Sequence, residues 1–370
     1  REAVREDRDG VAIHRLPPMP LGADGALTFP AFVNPVWLAA IAGVVRRQGA
    51  DVILVRDLPL ALAGIAVGRL TGRPVVLDFA ENYPAMLRDF WPANRRRPLN
   101  WVARHPRVAA VVERLAVRGA DHILVVVQEA LERVRDLGVP AARLSVVANT
   151  PLPERFAGLE ARAREAEAAS PTFDLVYLGF LDAARGVDTA IAAMPAVVAR
   201  VPDARLVVVG SGGDEARLRG LAAASGAGGH IRFAGWVPHE AAYEWIARSA
   251  VGLVPHRATP SWMTTIPNKL FDYMALAKPV VASDARPVRR IVETEACGLV
   301  FPSGDAEALA AQVVRLRDAA LRHRLGDNGR AAVRARYNWT VDETTLLGAL
   351  EATRTASRPA PAGLVRSVRD

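Results

Sequence analysis

The chain has 370 residues, of which 51% are apolar and 23% charged, a balance typical of a globular protein long enough for two domains. Its net charge is +8, from 47 basic and 39 acidic residues. No zinc-ligand spacing, RNP-like aromatic motif or helix-turn-helix pattern accompanies that charge, which argues against nucleic-acid binding. Cys297 is the only cysteine, so the sequence excludes a disulfide framework and a thiolate metal cluster and favours a reducing cytoplasm. No window approaches the ~18 consecutive apolar residues of a membrane span.

Short β-branched runs alternate with Ala-, Leu- and Arg-rich helical patterns, which predicts an α/β fold of βαβ units with parallel sheets. Helical patterns include Leu58–Leu70 and Val108–Arg118. In the first half the predicted strands are Val11–Leu16, Asp51–Val55, Pro74–Leu77, His122–Val127 and Leu144–Val147. In the second half they are Asp174–Leu178, Arg205–Val209, Ile231–Phe233, Gly252–Val254, Pro279–Ala282 and Gly298–Phe301.

The two strand series predict two doubly wound domains. The Ala/Glu/Arg-rich stretch Ala157–Pro171 lies between them and is expected to connect them. The chain starts at Arg1 with a charged run, and we expect a preceding segment of the first domain to be missing from it. The predicted parts are a first domain over 1–165, a second over 172–338, a C-terminal helix over 339–354 that returns toward the first domain, and a frayed tail over 355–370.

Residues that follow the second-half strands predict the site, because ligands bind at the carboxyl ends of strands in open α/β sheets. Gly179 follows the first of these strands and lets the chain turn without a Cβ. Arg185 opens the next helix, where its guanidinium could grip a diphosphate. An ordinary solvated arginine is the alternative. The loop that begins at Gly210 could cradle a phosphate or be a plain turn.

The stretch Thr264–Asp272 is typical of a loop that leads into a short helix, with Pro267 in its first turn and free N–H groups suited to an anion. The helix places Lys269 and Asp272 one turn apart. Lys269 supplies a cation, and Asp272 could accept hydrogen bonds from vicinal ribose hydroxyls. The alternative is a surface Lys–Asp pair worth only about 0.3–0.5 kcal/mol. Taken together, the three strand-end sites favour a nucleotide-sugar ligand.

A further stretch, Phe90–Trp101 with Arg104 and Arg107 after it, mixes aromatic residues with arginines. It could rest on an anionic membrane surface, where each basic residue contributes about 1 kcal/mol. The alternative is an ordinary solvated basic loop. Peripheral contact with the inner face of the membrane is therefore one expectation for the location of this protein.

Five stretches of the second half carry a family resemblance: YLGFLDAARGVD, LVVVGSGGDEARL, IRFAGWVPHEAAYEWIARSAVGLVPH, TTIPNKLFDYMALAKPVVAS and CGLVFPSGDAEAL. The first half adds DVILVRDLPLALAGIAVGRLTGRPVVLDFAENYP and ADHILVVVQEALERVRDLGVPAARLSVVANTP. In order and spacing these stretches resemble glycosyltransferase family 4, over nearly the whole chain. The resemblance implies a retaining enzyme with the GT-B fold, in which two Rossmann-like domains face a central cleft.

The resemblance also implies roles for individual residues. Asp272 would bind the donor ribose, and Arg185 and Lys269 would neutralise the departing diphosphate. Because these cations can act without a metal, no metal ion or other cofactor is expected. The backbone of Trp236 and Val237 would meet the base. The implied donor-binding residues are Gly179, Gly210, Trp236, Val237, Thr264, Thr265, Ile266, Pro267 and Asn268.

The sequence departs from the family pattern in three places. Thr264 and Asp272 occupy the positions of two glutamates that family members usually carry eight residues apart. Phe180 stands where the family often has arginine or another polar residue, and Ala80 stands in the place of a common histidine.

Two carboxylates of the first domain, Asp78 and Glu81, are candidates for contact with the acceptor. N-capping or loop structure is the alternative for both residues.

The leading hypothesis is a retaining hexosyltransferase that uses a nucleoside-diphosphate sugar, with UDP or GDP, and a glycan or lipid-linked acceptor. A second hypothesis is a catalytically degenerate nucleotide-sugar-binding partner subunit, suggested by Thr264, Phe180 and Ala80. A third is a sugar-nucleotide epimerase with the same fold, which the transferase-like motifs of the second half disfavour.

Overall fold

The computed structural model describes residues 5–16, 20–21, 25–26, 34–91 and 100–356. The chain divides into two compact units. The domain boundaries expected from the sequence, 1–165 and 172–338, stay a prediction. The tail from 357 onward and residues 92–99 of the basic aromatic stretch lie outside the described residues. The first unit consists of Arg1–Val125, Arg133–Ser145 and Leu346–Asp370, and the second of Val126–Glu132 and Val146–Thr345.

An antiparallel hairpin joins the first two described strands, β1 (Arg5–Arg8) and β2 (Val11–His14). The sequence predicts Val11–Leu16 as a strand of the parallel series. A strand forms over Val11–His14, but it pairs antiparallel, so the expected parallel pairing is wrong. Asp9 and Gly10 connect the strands with φ angles of 55° and 82°. An Asp-Gly pair with two positive φ angles makes the tight turn that fits the twist of a hairpin. Two short strands, β3 (Pro20–Leu21) and β4 (Gly25–Ala26), also pair antiparallel.

A four-stranded sheet forms the centre of the first unit. β6 pairs in parallel with β5 and with β7, as the alternation of strands and helices predicts. All four residues of β7 are buried, as expected for a strand covered on both faces. In order across the sheet the strands are β5 (Ile53–Arg56), β6 (Val75–Phe79), β7 (His122–Val125) and β8 (Leu144–Val146).

The helices of the first unit begin at recognisable caps. Asn34, Asn82 and His105 each accept a hydrogen bond from a backbone N–H of the first turn, and a proline follows each of them within two residues. The helices from Pro35 to Asp136 are α1 (Pro35–Gln48), α2 (Ala61–Thr71), α3 (Tyr83–Asp89), α4 (Asn100–Ala103), α5 (Pro106–Gly119) and α6 (Gln128–Asp136).

The second unit contains a six-stranded sheet in which all neighbouring strands are parallel. Along the chain the sheet grows outward from β9 through β10 to β11, then resumes on the other side of β9 with β12. The order is β11-β10-β9-β12-β13-β14. The strands are β9 (Phe173–Leu178), β10 (Ala204–Val209), β11 (Ile231–Gly235), β12 (Val251–Val254), β13 (Val280–Ser283) and β14 (Gly298–Phe301).

Helices and an apolar core surround this sheet. The core includes Leu175, Leu206 and Leu253 from the strands and Ile191 and Met194 from one helix, all at most 1% exposed. The helices from Leu159 onward are α7 (Leu159–Ala168), α8 (Val187–Val198), α9 (Glu215–Ala224), α10 (His239–Arg248), α11 (Lys269–Ala275), α12 (Arg286–Thr294), α13 (Ala306–Arg315), α14 (Ala319–Ala335) and α15 (Trp339–Thr355). The residues of α6 and of α15 are each divided between the two units.

The stretch Ala157–Pro171, expected to connect two domains, contains α7 and is fastened within the second unit. Lys278 is 1% exposed, and its Nζ donates to the carboxylate of Glu167 (2.8 Å) and the carbonyl of Ala163 (3.1 Å), both on α7. Arg322 from α14 donates to the other oxygen of Glu167. A carboxylate between two cations therefore joins α7 to the rest of the unit.

We expect Glu167→Gln to lower the free energy of unfolding by about 3 kcal/mol, because it leaves the buried Lys278 ammonium without a counter-ion. Urea unfolding measures the change. The matched control is Asp327→Asn, which breaks the exposed pair with Arg164 and should cost at most about 1 kcal/mol. Equal effects of the two substitutions would show that the buried pair adds nothing to stability.

Candidate active site

The order of strands in the second unit identifies one edge of the sheet as the place for a ligand. The chain direction across the sheet reverses between the neighbouring strands β9 and β12. In doubly wound sheets the crevice beyond the carboxyl ends of two such strands is the usual binding site. Gly179 follows β9 and Pro255-His256 follows β12, so these residues lie at the carboxyl ends of the two strands.

Lys269, the first residue of α11, is the central charge of this edge. Its side chain is 6% exposed, and Nζ has no hydrogen-bond partner among the described residues. Nζ lies 3.8 Å from the ring centroid of Tyr177, a buried residue of β9. Burial, with the Arg185 guanidinium adding to it, lowers the pKa of Lys269 well below its usual range. Lys269 Nζ thus has no direct hydrogen bond or ion pair among the described residues, although the charges of Asp182 and Asp272 act on it from farther away.

Two glycines keep the backbone close to that ammonium. Gly179 has φ +137°, and a Cβ built on it would lie 3.1 Å from Lys269 Nζ. Gly210 has φ +136°, and a Cβ there would lie 1.9 Å from the carbonyl oxygen of Gly179. A side chain at either position would require the site to rearrange. The Gly210 N–H donates to the carbonyl of Gly235 at 2.7 Å, so this amide is already used by the fold and is not available to a phosphate.

Arg185 ends a short 3₁₀ turn (Ala183–Arg185), and the helix that it was expected to open begins two residues later, at Val187. Gly186, with φ 68°, separates the turn from α8. A Cβ at this position would lie 1.8 Å from the carbonyl oxygen of Pro255, so a side chain does not fit here. The guanidinium stacks 4.8 Å from the ring centroid of Trp262, and Nε donates to Asp182 at 3.3 Å. The side chain is 28% exposed, so the interpretation as a fully solvated arginine is wrong.

His256 is the site residue that the sequence analysis did not select. It is 0% exposed, and neither ring nitrogen has a hydrogen-bond partner in the part of the chain that the structure describes. Its ring meets Trp262 edge to face at 4.3 Å. We call Lys269 Nζ and the two His256 ring nitrogens the unpaired nitrogens, meaning that none has a partner within the described ranges. The sequence offers one signal for His256 as a site residue, which is its position just after the apolar run of β12.

Asp272 lies one turn after Lys269 on α11, as predicted, and is 9% exposed. No ion pair within 4 Å joins the two side chains in the described part of the chain, so the alternative of a surface Lys–Asp pair is wrong. Burial raises the pKa of Asp272 to about 7, against the opposing charges of Arg155 and Lys269. The carboxyl group is therefore poised between its two protonation states near neutral pH.

The loop before α11 contributes mainly backbone and buried side chains. Thr265, Ile266 and Pro267 are buried, Thr264 is half-buried and Asn268 is exposed. Asn268 is the N-cap of α11, so Pro267 precedes the helix and does not lie in its first turn as predicted. The carbonyl of Pro267 still accepts from the N–H of Leu270 at 3.1 Å, which makes this proline part of a tight turn that enters the helix.

The residues after β11 reach the same edge of the sheet. Gly235 ends the strand with φ +74°, and Trp236 follows it with 73% of its surface exposed. Val237 is half-buried. An exposed indole two strands away from β9 offers a flat apolar surface.

In the first unit, the two carboxylates expected to contact the acceptor lie in different kinds of structure, one in a strand and one in a loop. Asp78 is the fourth residue of β6 and pairs with Arg56 of β5, while Glu81 lies in the loop after the strand. Asn82 caps α3, so N-capping by Asp78 or Glu81 is wrong. Asp57, not selected from the sequence, accepts from the Ala80 N–H at 3.1 Å and has φ 58°. Burial raises the pKa of Asp57 above its ordinary value.

Two searches of the described residues give negative results. No group of three or more His, Cys, Asp or Glu side chains there is arranged to hold a metal ion. Among the same residues, no helix combines the length and apolar character needed to cross a membrane.

Comparison with known proteins gives a consistent family. The family described as "Glycosyl transferases group 1" matches residues 172–318, and the "Glycosyl transferase 4-like domain" matches residues 1–150. A phosphatidyl-myo-inositol mannosyltransferase of Mycobacterium leprae is 35% identical over 187 residues, 49% of this chain and 47% of that protein. The chain thus spans about half the length of this relative.

Two solved structures resemble the whole fold. Sucrose-phosphate synthase from Thermosynechococcus elongatus has a TM-score of 0.79 at 22% identity, covering 96% of this chain and 87% of that one. HepE of Anabaena, in complex with UDP and glucose, has a TM-score of 0.68 at 16% identity, covering 90% and 84%. The chain belongs to glycosyltransferase family 4, the group 1 glycosyl transferases, and its fold is of the GT-B class.

We expect Asp272→Asn to stabilise the second unit at neutral and higher pH. A carboxyl whose pKa is about 7 in the fold and 3.8 ordinarily binds its proton more tightly when folded, so it lowers stability as pH rises through that window. The full effect is at most about 4 kcal/mol. Thermal unfolding should show a Tm advantage for the variant that grows from about pH 4 to about pH 7 and then levels off.

The control for this experiment is Asp203→Asn, at an aspartate that is 40% exposed and pairs with Arg317. It should change Tm little and without a trend in pH. A pH-independent Tm difference for Asp272→Asn would mean that Asp272 is ionised in the fold throughout the range.

Proposed function

We propose that this chain is a retaining glycosyltransferase that moves a hexose from a UDP- or GDP-sugar to a glycan or lipid-linked acceptor. The reaction would serve the synthesis of a cell-surface polysaccharide or glycolipid. The observation that carries the proposal is the buried side chain of Lys269 at the switch point of the sheet, whose Nζ has no hydrogen bond or ion pair among the described residues. A donor diphosphate supplies the missing negative charge.

Two cations at this edge suit the chemistry of the leaving group. When the bond between the sugar and the diphosphate breaks, negative charge develops on the diphosphate, and fixed positive groups lower the energy of that state. Lys269 is a compact point charge, whereas Arg185 presents a planar fork that can bind two oxygens. Since these two side chains carry the neutralisation, the proposal requires no divalent metal ion.

The position of Lys269 accounts for one departure from the family pattern. Phe180 stands where the family often has a polar or basic residue, and its side chain is 57% exposed. The space beside Gly179 is reached instead by Lys269 Nζ, which comes from α11. We infer that Lys269 replaces the polar or basic group that Phe180 does not supply.

Asp272 suits the ribose. An ionised carboxylate can accept hydrogen bonds from both vicinal hydroxyls, and these bonds would replace the water that burial removes. Trp236 and the backbone of Val237 are proposed to meet the base. Gly179, Gly210 and the segment Thr264–Asn268 would then bracket the sugar and phosphates.

The acceptor is proposed to contact the first unit, at Asp78 and Glu81. Asp57 joins this set because it lies at the end of β5, next to the end of β6 that carries Asp78. Carboxylates at neighbouring strand ends can accept hydrogen bonds from sugar or polyol hydroxyls. The mycobacterial relative is named for a phosphatidyl-myo-inositol acceptor, which supports the lipid-linked class without deciding among its members.

We expect Lys269→Met to lower kcat/KM by about 100-fold or more, because it removes charge stabilisation of the departing diphosphate. The assay follows release of UDP or GDP from a panel of sugar donors in the presence of phosphatidylinositol or glycan acceptors. NMR of the product should show the same anomeric configuration as in the donor.

The matched control is Lys278→Met, at the only other lysine of the chain. Lys278 is equally buried but fully paired, so this variant should lose stability rather than turnover per folded molecule. Donor binding without nucleotide release by the unsubstituted chain would favour a non-catalytic partner subunit. Conversion of the donor sugar without an acceptor would favour an epimerase.

The surface of α4 and α5 supports contact with an anionic membrane. Trp101, Val111 and Leu115 are 54%, 54% and 51% exposed, and Arg107 and Arg114 are exposed beside them. Apolar side chains that can enter a headgroup layer, combined with arginines, fit the inner face of a membrane, where anionic lipid lies.

We expect Val111→Ser with Leu115→Ser to weaken binding to vesicles that contain phosphatidylserine, measured by co-sedimentation. A loss of about 3-fold or more follows from removing two apolar contacts. Leu347→Ser, at a leucine that is 58% exposed on α15, is the control and should change nothing. Equal binding to neutral and anionic vesicles would contradict the proposed role of the arginines.

A further inference from the structure

The unpaired nitrogens form one buried group at the end of β9 and β12. Burying a polar atom without a hydrogen bond costs about 1–3 kcal/mol by protein substitution data, and folded proteins rarely tolerate it without a reason. Here three such atoms belong to two side chains, His256 and Lys269, that lie at the same edge of the sheet. Their clustering indicates a ligand rather than an isolated packing defect.

His256 is held rigidly by its backbone. The hydroxyl of Ser283, at the end of β13, donates to the carbonyl of His256. The N–H of the next residue, Arg257, donates to the carbonyl of Ala184 at 2.9 Å. Gly186 lies so close that a Cβ there would be 3.6 Å from the His256 Cα. Contacts from the ends of β9 and β13 thus fix the backbone of His256, and a fixed backbone suits a ligand-binding residue.

The side chains in contact with His256 provide its charge environment. Trp262 meets the imidazole edge to face, and Arg185 stacks on the same indole. Burial lowers the pKa of His256 well below its ordinary value, and the charges of Lys269 and Arg185 add to that effect. A neutral imidazole keeps one N–H donor, so it can bind an anion beside two cations without adding a third positive charge.

We propose that His256 is a third ligand of the donor diphosphate, donating a ring N–H to a phosphate oxygen between Lys269 and Arg185. The inference rests on the proposed function and extends it to a residue that the family resemblance did not indicate. The ring is closed to solvent in this structure, so the phosphate must displace the layer formed by Trp262 and Arg185. Trp262 is 9% exposed and the Arg185 side chain 28%, so this layer is the outermost part of the group.

The test separates phosphate recognition from structure. The full chain and its His256→Phe variant are titrated with UDP and GDP by calorimetry, and with uridine and guanosine by ligand-observed NMR. Loss of one hydrogen bond to a charged group predicts a fall of about 10-fold or more in affinity for the diphosphate. Affinity for the nucleoside, which carries no phosphate, should stay within about 2-fold.

Two conservative variants identify the donating nitrogen. The amide N–H of Gln reaches the place of Nε2 and that of Asn the place of Nδ1, so one of His256→Gln and His256→Asn should regain most of the diphosphate affinity. Tm should not fall in the Phe variant, because that substitution removes two buried polar atoms without partners in the described chain. His323→Phe, at a histidine 43% exposed, is the control and should bind like the parent.

The outcomes distinguish the two proposals. If the parent binds UDP or GDP and His256→Phe binds it equally well, the inference fails while the proposed function stands. Equal losses for diphosphate and nucleoside, or no recovery in either conservative variant, also overturn the role of His256. If the parent binds no nucleoside diphosphate, the proposed function fails and this inference fails with it.

Movement of the covering layer has its own readout. Subtracting the fluorescence of Trp262→Phe from that of the parent isolates the signal of Trp262. This difference signal should change on addition of UDP or GDP but not on addition of the nucleoside. An unchanged signal at saturating diphosphate would exclude displacement of the indole, and the phosphate could then not reach His256.

Discussion

A buried lysine without a direct hydrogen-bond or ion-pair partner in the described chain is the constraint on which the candidate site depends. The two lysines of the chain show the difference. Lys278 is 1% exposed, and its ammonium meets a carboxylate and a carbonyl. Lys269 is 6% exposed, and within the described chain its ammonium meets only the face of an aromatic ring. This contrast between a paired lysine and one without a direct partner in the described chain is the reason for proposing a ligand at Lys269.

The rest of the second unit can be understood as the support for that charge. Gly179 and Gly210 let two loops approach backbone to backbone beside Lys269, and Gly186 lets a third loop pack against the end of β12. These contacts leave almost no room for a side chain, so the loops after three strands cannot shift independently. Electrostatic stabilisation of a leaving group depends on such rigidity, because a charge that must reorganise during the reaction loses much of its effect.

Sequence patterns predict most of this fold, for a physical reason. A strand covered on both faces is a continuous apolar run, and a helix follows each parallel strand. The parallel series can therefore be identified from the order of apolar runs and helical patterns along the chain. The pairing of Val11–His14 could not be read from apolar periodicity, because the Asp9-Gly10 turn decides it. Pro267 was expected in the first turn of α11, but the helix begins two residues later, at Lys269. A proline before an N-cap and one after it look alike in sequence.

The candidate site was predicted unevenly, and the differences depend on burial. Lys269 and Asp272 were selected because helical spacing places them together, but their burial could not be read from a stretch in which charged and apolar residues alternate. His256 lies at a predicted strand end but received no role, because no spacing or motif in the sequence distinguishes a single histidine there. Its two buried nitrogens become informative only when the hydrogen-bond partners are known.

Placing the second cation on α11, rather than after β9, has a geometric consequence. Lys269 and Asp272 then share one turn of one helix, whose backbone hydrogen bonds fix their separation. The group proposed for the diphosphate and the group proposed for the ribose therefore move together. A donor can bind both groups only if the spacing between its ribose and its diphosphate suits them. That spacing is the same in all nucleoside 5′-diphosphates, so it does not distinguish one base from another. Discrimination among bases and sugars must then come from residues outside this helix, such as the exposed Trp236 and the loop that ends at Asn268.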